Sequence, residues 1–391
     1  MPAQGANLSN STSSFDVAIV GGGVIGVAVA WRAAQRGLSV TVLDRGALGQ
    51  GTSRVAAGMI APISEARPTE QPLLALSLAS AALYPAFVAE LADAARTDPG
   101  YLGCGTIAAA RDADEAEALD RELAMRRSLG LPVQRLRASE ARRLEPALAP
   151  GVRLALEVPD DHAIDPRKLT EALGIAAAES GAQLRPETGV SGVELARGRV
   201  RGLRLADGSA VSADNVIVAA GVWSGQLAGI PEAARVPIRP VKGQILRLHD
   251  PSGPGLLNRA LRMQGAGYIV PRGDGRYVLG ATVEERGFDT TVTTGPLFEL
   301  LRDGIELLPG LSELVIDELS AGLRPGTPDN GPALGPGAIA GLHWAAGHYR
   351  HGIMLAPITA EIVVGALVGE EPSELGSAFS PERFVNLPVG A

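Results

Sequence analysis

The sequence predicts an α/β protein of two units: one on a β-α-β frame that is interrupted along the chain, and one of α+β type on an antiparallel sheet. Three observations carry this. The apolar run Phe15–Val20 leads into Gly21-Gly22-Gly23 and then into Val24–Arg36, whose apolar spacing is helical until Gly37 stops it. The β-branched run Ser39–Asp44 follows, closing a β-α-β unit within about 30 residues. Past Pro237 short strand-like runs take over, and near His343 a strand and helix of the first kind return.

The intervening elements follow in order. Pro72–Arg96 is Ala/Leu-rich and reads as a long helix. Gly105–Ala110 is a strand and Asp112–Leu129 a charged amphipathic helix. Asp165-Pro166 is an N-cap followed by an N1 proline, opening a helix to about Ser180. Val200–Leu205 and Ala210–Ala213 flank Asp207-Gly208, a hairpin turn. Asn215–Ala220 is a buried strand ending at Gly221. Gly243–Leu248, Tyr268–Pro271, Tyr277–Ala281 and Val315–Leu323 read as strands of the second unit, with Pro296–Leu308 as its helix. His343–Ala346 and Gly352–Val368 are the returning strand and helix. The expected partition is a disordered tail, 1–14; a first domain of 15–98, 151–231 and 325–375; and a second of 99–150 and 232–324.

Composition limits the function. The 391 residues are 46% hydrophobic and 20% charged, which excludes a disordered or coiled-coil chain. A net charge of −8 gives no general attraction for nucleic acid or anionic lipid, so neither is an expected partner. The single cysteine, Cys104, excludes an internal disulfide and any cysteine-based metal centre. It precedes a strand and reads as core. His162, His249 and His343 lack metal-ligand spacing, so no metal is expected. The charge run Asp112–Arg127 reads as a solvated helix face. The first fourteen residues lack a signal peptide's basic start and apolar core. Val17–Ala30 and Ile353–Gly369 are apolar but broken by glycines or by Pro357 and Glu361, and read as buried core. A cytoplasmic protein is expected.

Gly21-Gly22-Gly23-Val24-Ile25-Gly26 fits G-x-G-x-x-G. Alone the pattern is weak. Here it follows a strand, opens a helix and has Asp44 about 20 residues on at a strand end. Gly21 permits the tight turn, Gly23 lets backbone approach a pyrophosphate, and Gly26 lets helix and strand pack closely. The helix N-terminus offers N–H groups and partial positive charge to phosphates. Asp44 is placed to accept from a ribose hydroxyl. The first domain is therefore Rossmann-like and binds a dinucleotide, NAD or FAD.

Three further blocks resemble the D-amino-acid oxidase superfamily of FAD enzymes. They are Gly51-Thr52-Ser53-Arg54-Val55-Ala56-Ala57-Gly58-Met59-Ile60, Ala219-Ala220-Gly221-Val222-Trp223-Ser224, and Ala346-Gly347-His348-Tyr349-Arg350-His351-Gly352-Ile353-Met354-Leu355-Ala356-Pro357. The last resembles the C-terminal flavin-binding turn of the glycine oxidase branch. The resemblance runs from about Phe15 to Ala366. It implies noncovalent FAD, since Cys104 does not sit where related sarcosine oxidases attach flavin. The cofactor wall it implies is Gly21, Gly23, Val24, Ile25, Gly26, Asp44, Arg45, Thr52, Ser53, Ala56, Ala57, Gly58, Met59, Val190, Ala220, Gly221, Trp223, His348, Tyr349, Arg350, His351, Gly352, Ile353 and Met354. A helix starting near Gly352 would aim its N–H groups at the flavin pyrimidine carbonyl.

Gly267-Tyr268-Ile269-Val270-Pro271-Arg272 and Gly322-Leu323-Arg324-Pro325-Gly326-Thr327-Pro328-Asp329 also match the branch. The resemblance implies that Arg324 holds the substrate carboxylate at two points and that the Tyr268 hydroxyl assists. A planar guanidinium suits that task. Arg350 and Met59 are the further expected walls of the substrate pocket. The sequence departs from the branch at Ala266, where a histidine is found, at Val283, where a methionine is found, and at Asp44, which replaces glutamate. The first two bear on pocket width.

The implied activity is FAD-dependent oxidative deamination of glycine or a small amino acid. Hydride passes to flavin, O2 becomes H2O2, and no side chain acts as acid or base. The implied role is supply of the glycine imine for the thiamine thiazole, with a homo-oligomer, a tetramer, as the assembly. The alternatives are a D-amino-acid or sarcosine oxidase or dehydrogenase of the same fold, or a flavin-dependent tRNA-modifying protein. The acidic charge disfavours the last.

Overall fold

The computed structural model describes residues 14–265 and 267–385. The expected tail and Ala266 lie outside these residues, except for Ser14, which opens the first strand.

Val17, Ala18, Ile19 and Val20 are all buried, as a strand covered on both faces requires. Their strand, Ser14–Val20, pairs in parallel with Val40–Leu43 and with Ala210–Val218. Helix Val24–Gln35 crosses between the first two. The full order is Val190–Ala196, Arg199–Leu205, Ala210–Val218, Ser14–Val20, Val40–Leu43 and Gln183–Arg185. Leu342–Ala346 joins the far end of Ala210–Val218 in parallel, and Ala333–Pro336 pairs with it. The first sheet therefore draws on three separate stretches of chain.

Helices Val24–Gln35, Gln71–Ala95, Pro166–Glu179 and Ala356–Leu367 pack on one another around Trp31, Leu76, Tyr84, Leu173 and Val363. Gln71–Ala95 is long and apolar enough to span a bilayer, with a mean hydropathy of 1.7. It buries Leu76, Tyr84, Phe87 and Leu91 in this core and exposes Glu90 and Asp93. That one-sided burial is the pattern of a helix in a globular core.

The second sheet runs Val315–Gly326, Arg239–His249, Arg276–Gly280, Tyr268–Pro271, Ala260–Arg262, Thr106–Ala110, Leu154–Val158 and Gln134–Arg137. Neighbours are antiparallel except Ala260–Arg262 with Thr106–Ala110. Helix Thr294–Leu307 lays Leu297, Leu300 and Leu307 on the cluster of Leu246, Ile269 and Leu279.

Three features differ from the sequence reading. Leu154–Val158 lies in the second sheet, whereas the sequence places 151–231 in the first domain. A five-residue apolar run does not reveal its partner; here that partner is Thr106–Ala110. The last long helix begins at Ala356, not near Gly352. Pro357 fits the first turn, where its missing N–H costs nothing, and a separate turn precedes it, closed by Leu355 N–H on His351 O at 2.8 Å. Finally, Asp112–Arg127 is not wholly a solvated face. Arg126 is 3% exposed and buried with Leu119 and Leu123. Its guanidinium donates to Ile63 O at 2.9 Å and Ser64 O at 2.7 Å, so the charge is buried with its hydrogen bonds made.

Candidate active site

A cavity of about 890 Å³ is lined from both sheets. That is within the roughly 300–1,000 Å³ typical of cofactor and small-molecule sites. Every residue singled out for the cofactor or substrate lines it except Gly26.

At one end the wall is backbone. Gly21 has φ +108°, and a Cβ there would stand 2.5 Å from Ala219 O. A Cβ on Gly26 would stand 1.9 Å from Gly21 O, so this glycine sets how closely helix and strand approach. Val24 N–H donates to Ser53 Oγ at 3.0 Å, tying the helix start to the next block. Asp44 accepts from Gly22 N–H (2.8 Å) and Gly46 N–H (2.9 Å), one on each oxygen. Each oxygen keeps a lone pair for a ribose hydroxyl. The Arg45 guanidinium lies 3.8 Å from the Trp223 ring centroid, a cation–π stack on the same wall. A helix N-terminus, an acidic strand end and glycines where side chains would intrude are what a dinucleotide needs.

The middle of the cavity is held from outside. Arg272 donates to Ala57 O at 2.7 Å and Ile164 O at 3.1 Å, locking the 51–60 block to the second sheet. Tyr84 Oη donates to Ile353 O, and Ser80 Oγ donates to Met354 O at 2.6 Å. The long apolar helix thus spends its polar groups on the 346–357 block. His348 and His351 in that block are buried, which lowers their pKa values to about 3 and about 4.

At the other end the wall is side chains. Arg324 Nη1 donates to Thr282 O at 3.0 Å and Lys242 O at 3.3 Å. Val241 pairs with Arg324 and Gly243 with Gly322 across the strands. A Cβ on Gly243 would stand 2.5 Å from Arg324 Nη2, so this glycine makes room for the guanidinium. Among the described residues Arg324 has no carboxylate partner. Tyr268 lies beside it and opposite Gly280 in the ladder. Burial pushes the Tyr268 phenol up despite the nearby Arg324 charge, so it stays protonated and can donate. Met59 lies on a short strand that lines the same space.

Arg350 also lines the cavity, but its charge is engaged. Its Nε lies 3.0 Å from Glu65 Oε2, and its Nη2 3.7 Å from Glu70 Oε2. Burial opposes ionisation of Glu65, but the surrounding positive charge, Arg350 first and Arg262 and Arg67 beyond it, outweighs burial and holds that carboxyl below its ordinary value. Sequence reasoning missed Glu65, Gly243 and the two carbonyls under Arg324. Only the strand register brings the last three together, and no motif marks Glu65. Cys104 is half-buried against the cluster that contains Ala163, Val270 and Val278, and burial raises its thiol pKa.

This fold and site define a flavin-dependent oxidoreductase. The family model described as FAD dependent oxidoreductase (DAO) matches residues 16–366, and the chain belongs to that family, with FAD as its cofactor. It is similar to a glycine oxidase of Geobacillus kaustophilus, 35% identical over 96% of this chain and 98% of the relative. The crystal structure of glycine oxidase from that organism superposes with a TM-score of 0.89 at 34% identity, covering 97% of this chain and all of that one. It is also similar to the bifunctional protein ThiO/ThiG of Synechocystis sp., 36% identical over 95% of this chain. There it spans about half of the relative, 54%.

Proposed function

We propose that this chain oxidises glycine, or a comparably small amino acid, at Cα, using FAD and O2. The observation that carries this is the contrast between two arginines on one cavity. Arg350 is paired with Glu65, whereas Arg324 is held by two carbonyls and has no carboxylate partner among the described residues. Arg324 is then the group that receives a substrate carboxylate. Its remaining fork gives a two-point, charge-assisted pair that fixes orientation. Tyr268 adds a hydroxyl donor. Met59, Ile245, Ala281 and Val283 supply apolar wall around the substrate's Cα. Likeness to glycine oxidases over nearly their full length supports the same substrate.

The wall at Gly21–Ile25 takes the pyrophosphate, Asp44 the ribose, and the 51–60 and 346–357 blocks the flavin. FAD held there would supply the two-electron acceptor for the hydride leaving Cα, with O2 as the terminal oxidant and H2O2 as its product. The substrate's C–N bond becomes an imine, driven by the lone pair of a neutral amine. Water then gives a 2-oxo acid and ammonia. Tyr268 stays protonated and Glu65 stays ion-paired, so neither serves as a base. Positioning does the work of this chain's residues. The imine of glycine is the precursor of the thiamine thiazole, and likeness to the ThiO/ThiG protein supports that role. Resemblance to the glycine oxidase branch supports a cytoplasmic homo-oligomer, a tetramer, as the assembly.

Peroxide release by the FAD-loaded protein in air tests this, with glycine, sarcosine and D-alanine compared. Peroxide with glycine at the highest kcat/KM is expected. Flavin bleaching without peroxide would make the protein a dehydrogenase, and no response to any amine would remove the substrate reading.

A further inference from the structure

Of the 35 Lys and Arg residues only Lys168 and Lys242 are lysine. Lys242 is 1% exposed. Its ammonium lies 3.5 Å from Asp289 Oδ2 and 3.8 Å from Glu284 Oε2. Both carboxylates belong to the segment after the strand Arg276–Gly280. That segment is fixed to Lys242 by backbone as well: Lys242 N–H donates to Glu284 O at 2.9 Å, and Glu284 N–H donates to Lys242 O at 3.0 Å. Gln244 reinforces it through Nε2 to Glu284 Oε1 (2.8 Å) and Thr293 Oγ1 (3.0 Å). Thr293 N–H in turn donates to Gln244 Oε1 at 2.8 Å.

The same segment touches both ends of the cavity. Thr282 O is one of the two carbonyls on Arg324 Nη1, and Lys242 O is the other. Val283 lines the cavity. Phe288 packs on Trp223, with centroids 6.3 Å apart, and Trp223 carries the Arg45 stack.

We propose that Lys242 is a positioning residue for substrate recognition: its ammonium pins the 282–293 strap through Glu284 and Asp289, and so holds both carbonyls that aim Arg324. A compact ammonium, a point charge with three donors, can serve both carboxylates from this buried spot. The strap carries no group for the chemistry itself. It sets where the guanidinium stands, and a small displacement of such a clamp is costly. This rests on the reading of Arg324 as the carboxylate site.

The test is steady-state glycine oxidation by the FAD-loaded protein, comparing Lys242→Met, Glu284→Gln and Arg324→Ala, with flavin content measured for each. Lys242→Met is expected to raise KM for glycine about tenfold with kcat nearly kept and FAD retained. Glu284→Gln keeps the shape of the strap and is expected to shift KM in the same direction by less. It decides the matter if Lys242→Met does not fold. The affinity for acetate, a carboxylate without an amine, read by its perturbation of the flavin spectrum, should weaken in parallel with KM. Unchanged KM in Lys242→Met and Glu284→Gln, while Arg324→Ala raises it, overturns the positioning role alone. Equal loss of flavin and kcat with KM kept also overturns it, since that is a merely structural defect. Unchanged KM in Arg324→Ala overturns the clamp reading and this proposal with it.

Discussion

The cavity's two ends are built by different means. At Gly21–Gly26 the protein presents backbone, shaped by where side chains are missing, and one β-α-β unit supplies nearly all of it. At Arg324 it presents side chains, and their placement depends on strands about 80 residues apart meeting in the right register. The first end depends on the fold itself. The second can lose its function while the fold stands.

The sharpest contrast comes from Gly26→Ala. Its Cβ would stand 1.9 Å from Gly21 O, a backbone atom that cannot swing aside as a side-chain end can. Overpacking of this kind costs roughly 1–3 kcal/mol or more, and here it displaces the phosphate-binding turn. A lowered Tm and loss of FAD on purification are expected. Normal flavin content and an unchanged Tm would break the claim that backbone proximity makes this end.

Acid should act next, on the returning strand and the block that follows it. Burial lowers the pKa of His343, in strand Leu342–Ala346, to about 4 against an ordinary 6.5. His348 and His351 behave alike. Below pH 6.5 the unfolded chain takes up protons that the folded chain refuses. The stability from these neutral imidazoles is whole above about 6.5 and drains as pH falls toward about 4, by up to ~1.4 kcal/mol per pH step for each group. His343→Leu should flatten the fall of Tm across that window. An unaltered slope would contradict the assignment.

Arg324→Ala probes the other end. It should keep Tm and FAD yet lower kcat/KM for glycine by roughly 1.5–3 kcal/mol per charge-assisted bond lost. Loss of flavin instead would erase the distinction between the two ends. Tyr268→Phe removes one hydroxyl from the same place. It should cost about 0.5–1.5 kcal/mol in kcat/KM, a few-fold to about tenfold, with the fold untouched.

The same division explains what could be read from sequence. The dinucleotide end was legible because local spacing encodes it: a strand, glycines at 21, 23 and 26, a helix, and Asp44 at the next strand end. Arg324 and Tyr268 were found through resemblance rather than spacing. Their supports were not legible. Gly243 acquires meaning only opposite Gly322, and Thr282 O only beneath Arg324. Arg126 reads as surface charge because its helix is mostly charged, yet two carbonyls near Ile63 draw it inward. Gln134–Arg137 and Leu154–Val158 are strands by virtue of their partners, which no local pattern announces.

Anaerobic mixing of the FAD-loaded protein with glycine, followed by flavin absorbance, tests the union of the two ends most directly. Bleaching that saturates with glycine is predicted, at far lower concentration in the native chain than in Arg324→Ala. A flavin that glycine and other small amino acids leave oxidised, or a bleaching rate indifferent to Arg324, would contradict it.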